Sequence, residues 1–312
     1  MPTTPPSLPS QDASPPGHGA GLARAWARQL RPHQWVKNLF VLAPLLFSGR
    51  ALDAGAQGRA ALAFVAFCLA ASGVYVLNDL LDRRHDRAHP VKRHRPIAAG
   101  LIPVPQAVLG GVGLTVAALA LATGIAPALA AALMAYLAAN VVYSTWLKHH
   151  VILDVFGLAA FFLLRLLAGA GAVGVQPSVW LLLCGGLLAL YLGFTKRRHE
   201  LTLLGEGSVR HREVLAQYTI AFLDQLSVVL LSVTLVSYIM YTRESETARL
   251  VGSDALTYSA VFVLYGVLRY LHLVHRDGGQ GGNPAETLLT DRALLLAVVL
   301  WVAYCAIVLY AT

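Results

Sequence analysis

The chain has 312 residues, of which 57% are hydrophobic and 13% charged, and its formal net charge is +8. Soluble proteins carry near 25% charged residues, so a mean hydropathy of +0.61 excludes that class. Nucleic acid is not an expected partner either, because the basic residues are confined to short loops between apolar stretches.

In chain order, residues 1–23 are rich in Pro, Ser and Gly and lack the apolar core of a signal peptide. They read as a disordered cytoplasmic tail, ahead of a single transmembrane catalytic domain over 24–312. The apolar runs predict spans at 34–48, 59–81, 103–123, 126–146, 151–173, 178–195, 217–241, 255–274 and 291–311. The expected fold is therefore all-α, a polytopic membrane bundle of about nine transmembrane helices. The first span is short and carries Lys37 and Asn38. Eighteen of the 24 Lys and Arg fall on one side of these spans, which places the N-terminus and the polar loops in the cytoplasm. Cys68, Cys184 and Cys305 lie inside apolar runs without CxxC or Cys/His spacing, so neither a disulfide framework nor a zinc site is indicated.

The second span ends in NDLLDRRHDRAHPVKRHRPIAAG, residues 78–100. On a continuous helix advancing 100° per residue, Asn78, Asp79, Asp82 and Asp86 project at about 0°, 100°, 40° and 80°, one narrow face. Three carboxylates and an amide suit a hard divalent cation, Mg²⁺ first, since it shares protein carboxylates with substrate phosphates. The basic run after it includes Arg83, Lys92 and Arg95, suited to the same phosphates.

The loop before the fifth span carries Lys148, either a phosphate ligand or an interfacial anchor. Asp154 and Arg165 then lie about 20° apart on one helix face and about 16 Å apart along its axis. An arginine at that depth is a functional candidate, binding phosphate or pairing with an acid. The sixth span closes in GFTKRRHEL, where Lys196, Arg197 and Arg198 offer a clamp for a second anion or a simple orientation signal. A Gly-rich loop follows the eighth span. No GxxxxGK[ST], GxSxG or HExxH motif occurs. A non-catalytic lipid or ion carrier would be expected to place polar residues at the membrane midplane, and few are present.

NDLLDRRHD resembles the NDxxDxxxD first motif of the UbiA superfamily of membrane prenyltransferases. LRPHQWVKN, HPVKRHRPIAAG, YSTWLKHHVILDV, LLRLLAGAGAV, GFTKRRHEL and LRYLHLV are similar to its decaprenyl-phosphate phosphoribosyltransferase branch. The resemblance runs from about Leu30 to the end. It departs from the aromatic prenyltransferases at their second DxxxD motif, whose place is taken by Asp154 with Lys148 before it and Arg165 behind. What it implies is a UbiA-like fold and Mg²⁺-dependent transfer of 5-phosphoribose from phosphoribosyl diphosphate (PRPP) to a polyprenyl phosphate at the cytoplasmic face of a bacterial plasma membrane. Pyrophosphate would be released and the product would serve cell-envelope glycolipid synthesis. Asn78, Asp79, Asp82 and Asp86 would be the metal-binding and catalytic set. Lys37, Asn38, Arg83, Lys92, Arg95, Tyr143, Lys148, Asp154, Arg165, Lys196, Arg197 and Arg198 would bind substrate. The competing expectation is prenyl transfer to an aromatic acceptor. A homo-oligomer is compatible with either.

Overall fold

The structure, a computed structural model, describes residues 18–204, 213–244, 254–275 and 284–310, and every regular element among them is helical. Helix α1 (His18–Gln29) leads into a 3-10 helix, Pro32–Leu42, that continues as α2 (Ala43–Phe47). Helix α3 (Ala54–Leu81) is followed by the short α4 (Arg83–Ala88), then α5 (Val104–Ile125), α6 (Pro127–Thr145) and α7 (Leu153–Val173). The remainder is α8 (Val179–Leu204), α9 (Ile220–Glu244), α10 (Ala260–His275), α11 (Pro284–Thr290) and α12 (Arg292–Tyr310).

Among the described residues, eight helices are long and apolar enough to cross a membrane. The expected first span is not one of them. The sixteen residues at 32–47, as α-helix, would reach about 24 Å; wound mostly as 3-10 helix they extend to about 30 Å, the thickness of a hydrocarbon core. This tight segment lies directly on α7. A Cβ at Gly169 would stand 2.0 Å from the Val41 carbonyl oxygen, so only glycine permits the approach. Part of the expected tail is also ordered. Residues 18–23 begin α1, whose Ala25 and Trp26 pack with Val76, Ile97 and Ile102; residues 1–17 lie outside the described residues, as does the Gly-rich loop at 276–283.

The eight long helices are not equivalent. The most apolar stretches of α3 and α7 are 61% and 56% buried, the other six 17–28%. Helices α3 and α7 thus form the centre, and the others present apolar side chains such as Leu109, Val229 and Ile307 outward, as lipid requires. At one end, Arg50 and Arg59 near the start of α3 donate to the Val173 and Ala172 carbonyls that close α7. Asp53 caps α3 there, and the backbone N–H groups of Ala56 and Gly55 hold its carboxyl below the usual carboxylate range. The opposite end gathers the end of α3, the start of α7 and the end of α8.

Candidate active site

Asp79, in the last turn of α3, is 4% exposed, and Asp86, in α4, is 1% exposed. Both accept from the same atom: Arg95 Nη1 donates to Asp79 Oδ1 at 2.9 Å and to Asp86 Oδ2 at 2.7 Å. Arg31 Nη2 spans both oxygens of Asp79 at 2.8 and 2.6 Å, and Gln29 Nε2 donates to Oδ2 at 2.8 Å. The ring of Tyr75 lies 4.9 Å from the Arg31 guanidinium. Arg31 itself has φ 52° and ψ 58°, left-handed backbone immediately before Pro32. Such a conformation costs about 1–2 kcal/mol for an L-residue.

The face expected at 78–86 is realised in part. Asp79 and Asp86, seven residues apart and about 20° apart in projection, do converge. Asp82 does not join them. It sits at the junction of α3 and α4, exposed, and its side chain makes no hydrogen bond among the described residues. Asn78 is half-buried and likewise makes none. The break in the helix reduces the four-oxygen face to a carboxylate pair.

A second acidic centre is closed. Asp154, fully buried in the first turn of α7, accepts from Arg197 Nε at 2.7 Å and from the Tyr218 hydroxyl at 2.9 Å. Arg197 is 1% exposed and its Nη1 donates to Glu200. Asp154 therefore pairs with Arg197 and not with Arg165, despite the shared helix face.

Arg165 lies 4% exposed in the middle of the bundle. Its hydrogen-bond partners among the described residues are all neutral: Asn38 Oδ1 at 2.8 Å, the Phe161 carbonyl at 2.8 Å and the Tyr136 hydroxyl at 3.2 Å. The rings of Tyr136, Phe162 and Phe67 stand 4.8–5.9 Å from its guanidinium. Through Asn38 this arginine fixes the 3-10 segment, and with it Lys37. Lys37 Nζ donates to Gln34 and has no acidic partner among the described residues, while the charges of Lys196, Arg165 and Arg31 bear on it. Asp86, Arg95, Asp79 and Arg31 thus form one connected run of ion pairs, and Lys37 feels the positive charge of Arg31 and of Lys196.

Helix α8 continues well past the expected limit of 195, which corrects the idea of a three-residue clamp. Successive helical residues fan out by 100°. Lys196 faces Glu200, Arg197 faces Asp154, and Arg198 turns to Asp224 of α9, which also receives His275 of α10. Arg83 keeps a buried Nε that meets no acceptor. Tyr143 packs on Gly157 and Phe161 beside this network. Lys92 and Lys148 are half-buried and join it through no hydrogen bond or ion pair among the described residues. Gln29, Tyr136 and Tyr218 were not expected from the sequence; each is an ordinary polar residue in an apolar or loop context, and only the tertiary contact marks it.

The model of the UbiA prenyltransferase family matches residues 39–198. A decaprenyl-phosphate phosphoribosyltransferase of Mycolicibacterium smegmatis is 33% identical over 96% of this chain and 98% of its own length. The chain belongs to the UbiA prenyltransferase family. A Corynebacterium glutamicum protein of the same name is 34% identical over 90% of this chain and 85% of its own. In fold, the chain is similar to a UbiA homologue from Archaeoglobus fulgidus bound to DMAPP and Mg²⁺, with a TM-score of 0.66, 19% identity, and coverage of 92% of this chain and 100% of that one.

The family match includes Asp79, Asp86, Asp154, Arg165 and Arg197 but begins after Gln29, Arg31 and Lys37. These UbiA-family carboxylates fit a divalent cation in one respect: two buried anionic groups already converge on a positively charged atom. Among the described residues, no three His, Cys, Asp or Glu are gathered to hold an ion by themselves. That is the donor set Mg²⁺ accepts when substrate phosphates complete its shell.

Proposed function

We propose that this UbiA-family membrane transferase moves 5-phosphoribose from PRPP to a polyprenyl phosphate and releases pyrophosphate, at the cytoplasmic face of a bacterial plasma membrane. The observation that carries this reading is the asymmetry of the site. One acidic pair, Asp79 and Asp86, lies beside cations, whereas Asp154 is consumed by Arg197 and Tyr218 and is unsuited to a second metal–diphosphate clamp. The similarity to the named phosphoribosyltransferases supports it along nearly the whole chain.

In this reading Asp79 and Asp86, the pair that converges, would hold Mg²⁺, which when bound would neutralise charge gathering on the departing pyrophosphate. Lys37 and Lys196 bind the 5-phosphate, and Arg165 positions Lys37 through Asn38. Arg83, Lys92 and Lys148 are the remaining cations for the acceptor phosphate. That phosphate is ionised at neutral pH, so displacement at ribose C1, with inversion and oxocarbenium character, requires no general base. The similarity to the named phosphoribosyltransferases supports a place for the product, a phosphoribosyl lipid, in cell-envelope glycolipid synthesis.

The test supplies purified protein in detergent with labelled PRPP, Mg²⁺ and decaprenyl phosphate, and in parallel with a prenyl diphosphate and an aromatic acid. Label entering the lipid extract is expected only in the first mixture. Product in the second mixture alone would replace this reading by aromatic prenylation, and product in neither would leave a lipid carrier.

A further inference from the structure

Asp79 is saturated. A carboxylate offers about four lone-pair positions, and all are taken: Oδ1 by Arg31 and Arg95, Oδ2 by Arg31 and Gln29. Asp86 gives its Oδ2 to the same Arg95 nitrogen. Two carboxylates and two guanidinium groups make the cluster neutral as it stands. A divalent cation added alone would leave two net positive charges in a largely buried place, at a desolvation cost no new ligand offsets. It would also have to displace charge-assisted hydrogen bonds of 2.6–2.9 Å, the strong class.

The two carboxylates are buried, but their arginines are not. The side chains of Arg31 and Arg95 are 23% and 28% exposed, so they are able to turn toward an incoming ligand while the acids stay in place. Arg31 also sits in left-handed backbone, a strained conformation for an L-residue at a contact with Asp79. A diphosphate presents the planar, bidentate oxygen pairs that guanidinium groups prefer.

We infer that Arg31 and Arg95 are built-in counter-cations of the acidic pair: they release Asp79 and Asp86 only when a diphosphate draws them off, so a divalent cation enters this site together with its anion and not alone. Gln29 steadies Asp79 through the exchange as a positioning residue. The inference rests on the reading of Asp79 and Asp86 as the cation and diphosphate site. It makes Arg31 and Arg95 gatekeepers against free metal and against monoanions too weakly charged to compete with a carboxylate.

The experiment is thermal melting of the detergent-purified full chain in EDTA and across a Mg²⁺ series at constant ionic strength, for wild type, Arg95→Gln and Arg31→Gln. Retention of labelled pyrophosphate by wild type, with Mg²⁺ or with EDTA, is measured beside it. Wild type is expected to ignore Mg²⁺ alone and to retain pyrophosphate only with Mg²⁺. Each variant, left with uncompensated buried carboxylate, should melt about 5 °C lower or more in EDTA and recover most of that on Mg²⁺ addition, with an apparent Mg²⁺ affinity at least about tenfold above wild type. Arg31→Gln keeps Arg95 and serves where Arg95→Gln does not fold. Wild type stabilised by Mg²⁺ alone as strongly as the variants would overturn the inference while Mg²⁺-dependent pyrophosphate retention leaves the site reading standing. Pyrophosphate retention indifferent to Mg²⁺, with no variant rescued by it, would overturn both.

Discussion

The two acidic centres of this bundle differ in how their arginines meet water. Asp154 and Arg197 are 0% and 1% exposed and are closed on both sides by Tyr218 and Glu200. Asp79 and Asp86 are nearly as buried, yet Arg31 and Arg95 stand about a quarter exposed. A dry pair whose partners cannot leave is a fastener, here joining the start of α7 to the end of α8. A buried acid with a partner able to leave is a site for exchange. On the proposed reading the same residue types, an aspartate and an arginine, serve scaffold in one place and chemistry in the other, and exposure of the cation is what separates them.

That contrast is broken most directly by substitution. Asp79→Asn or Asp86→Asn should lower kcat by about 10²–10³-fold or more while the protein still elutes as a folded species in size-exclusion chromatography. Arg197→Ala should act in the opposite way, stranding Asp154 at a cost of about 3–5 kcal/mol. It would be read as loss of folded protein, with the double variant Asp154→Asn/Arg197→Gln recovering much of it. Lys37→Ala tests the anion subsite: KM for PRPP should rise about tenfold with little change in melting temperature. The smallest effect is expected of Arg198→Ala, which loses a part-exposed pair with Asp224 worth under about 1 kcal/mol and should leave KM unchanged. A raised KM in that variant would return Arg198 to the site.

Much of the fold was legible because lipid imposes a simple pattern. The expected spans from 59–81 to 291–311 lie close to the observed helices, and the sharpest differences have causes. The first span escaped the helical pattern because its 3-10 winding changes both reach and period, and α8 ran on through Lys196–Arg198 because charges at a helix end do not stop a helix. What the sequence concealed is which helices are central, since all spans are similarly apolar. Within the site, the convergence of Asp79 and Asp86 agrees with their helical spacing, although they lie on two helices and Arg95 bridges them. The partners of Asp154 and Arg165 do not, because they depend on the register of α7 against α8, α6 and the 3-10 segment. Arg31 is the instructive intermediate: it lies in the LRPHQWVKN stretch that carries the resemblance, but its contact with Asp79 comes with an elbow that an arginine before proline seldom adopts.

On the proposed reading the exposed-arginine centre, and not the dry one, carries the reaction. The direct measurement is pyrophosphate release from PRPP and decaprenyl phosphate at saturating Mg²⁺ by wild type, Asp79→Asn and the double variant Asp154→Asn/Arg197→Gln. Lipid-dependent release that EDTA abolishes, lost in Asp79→Asn and retained in the folded double variant, is the expected result. Release by Asp79→Asn at the wild-type rate would contradict it.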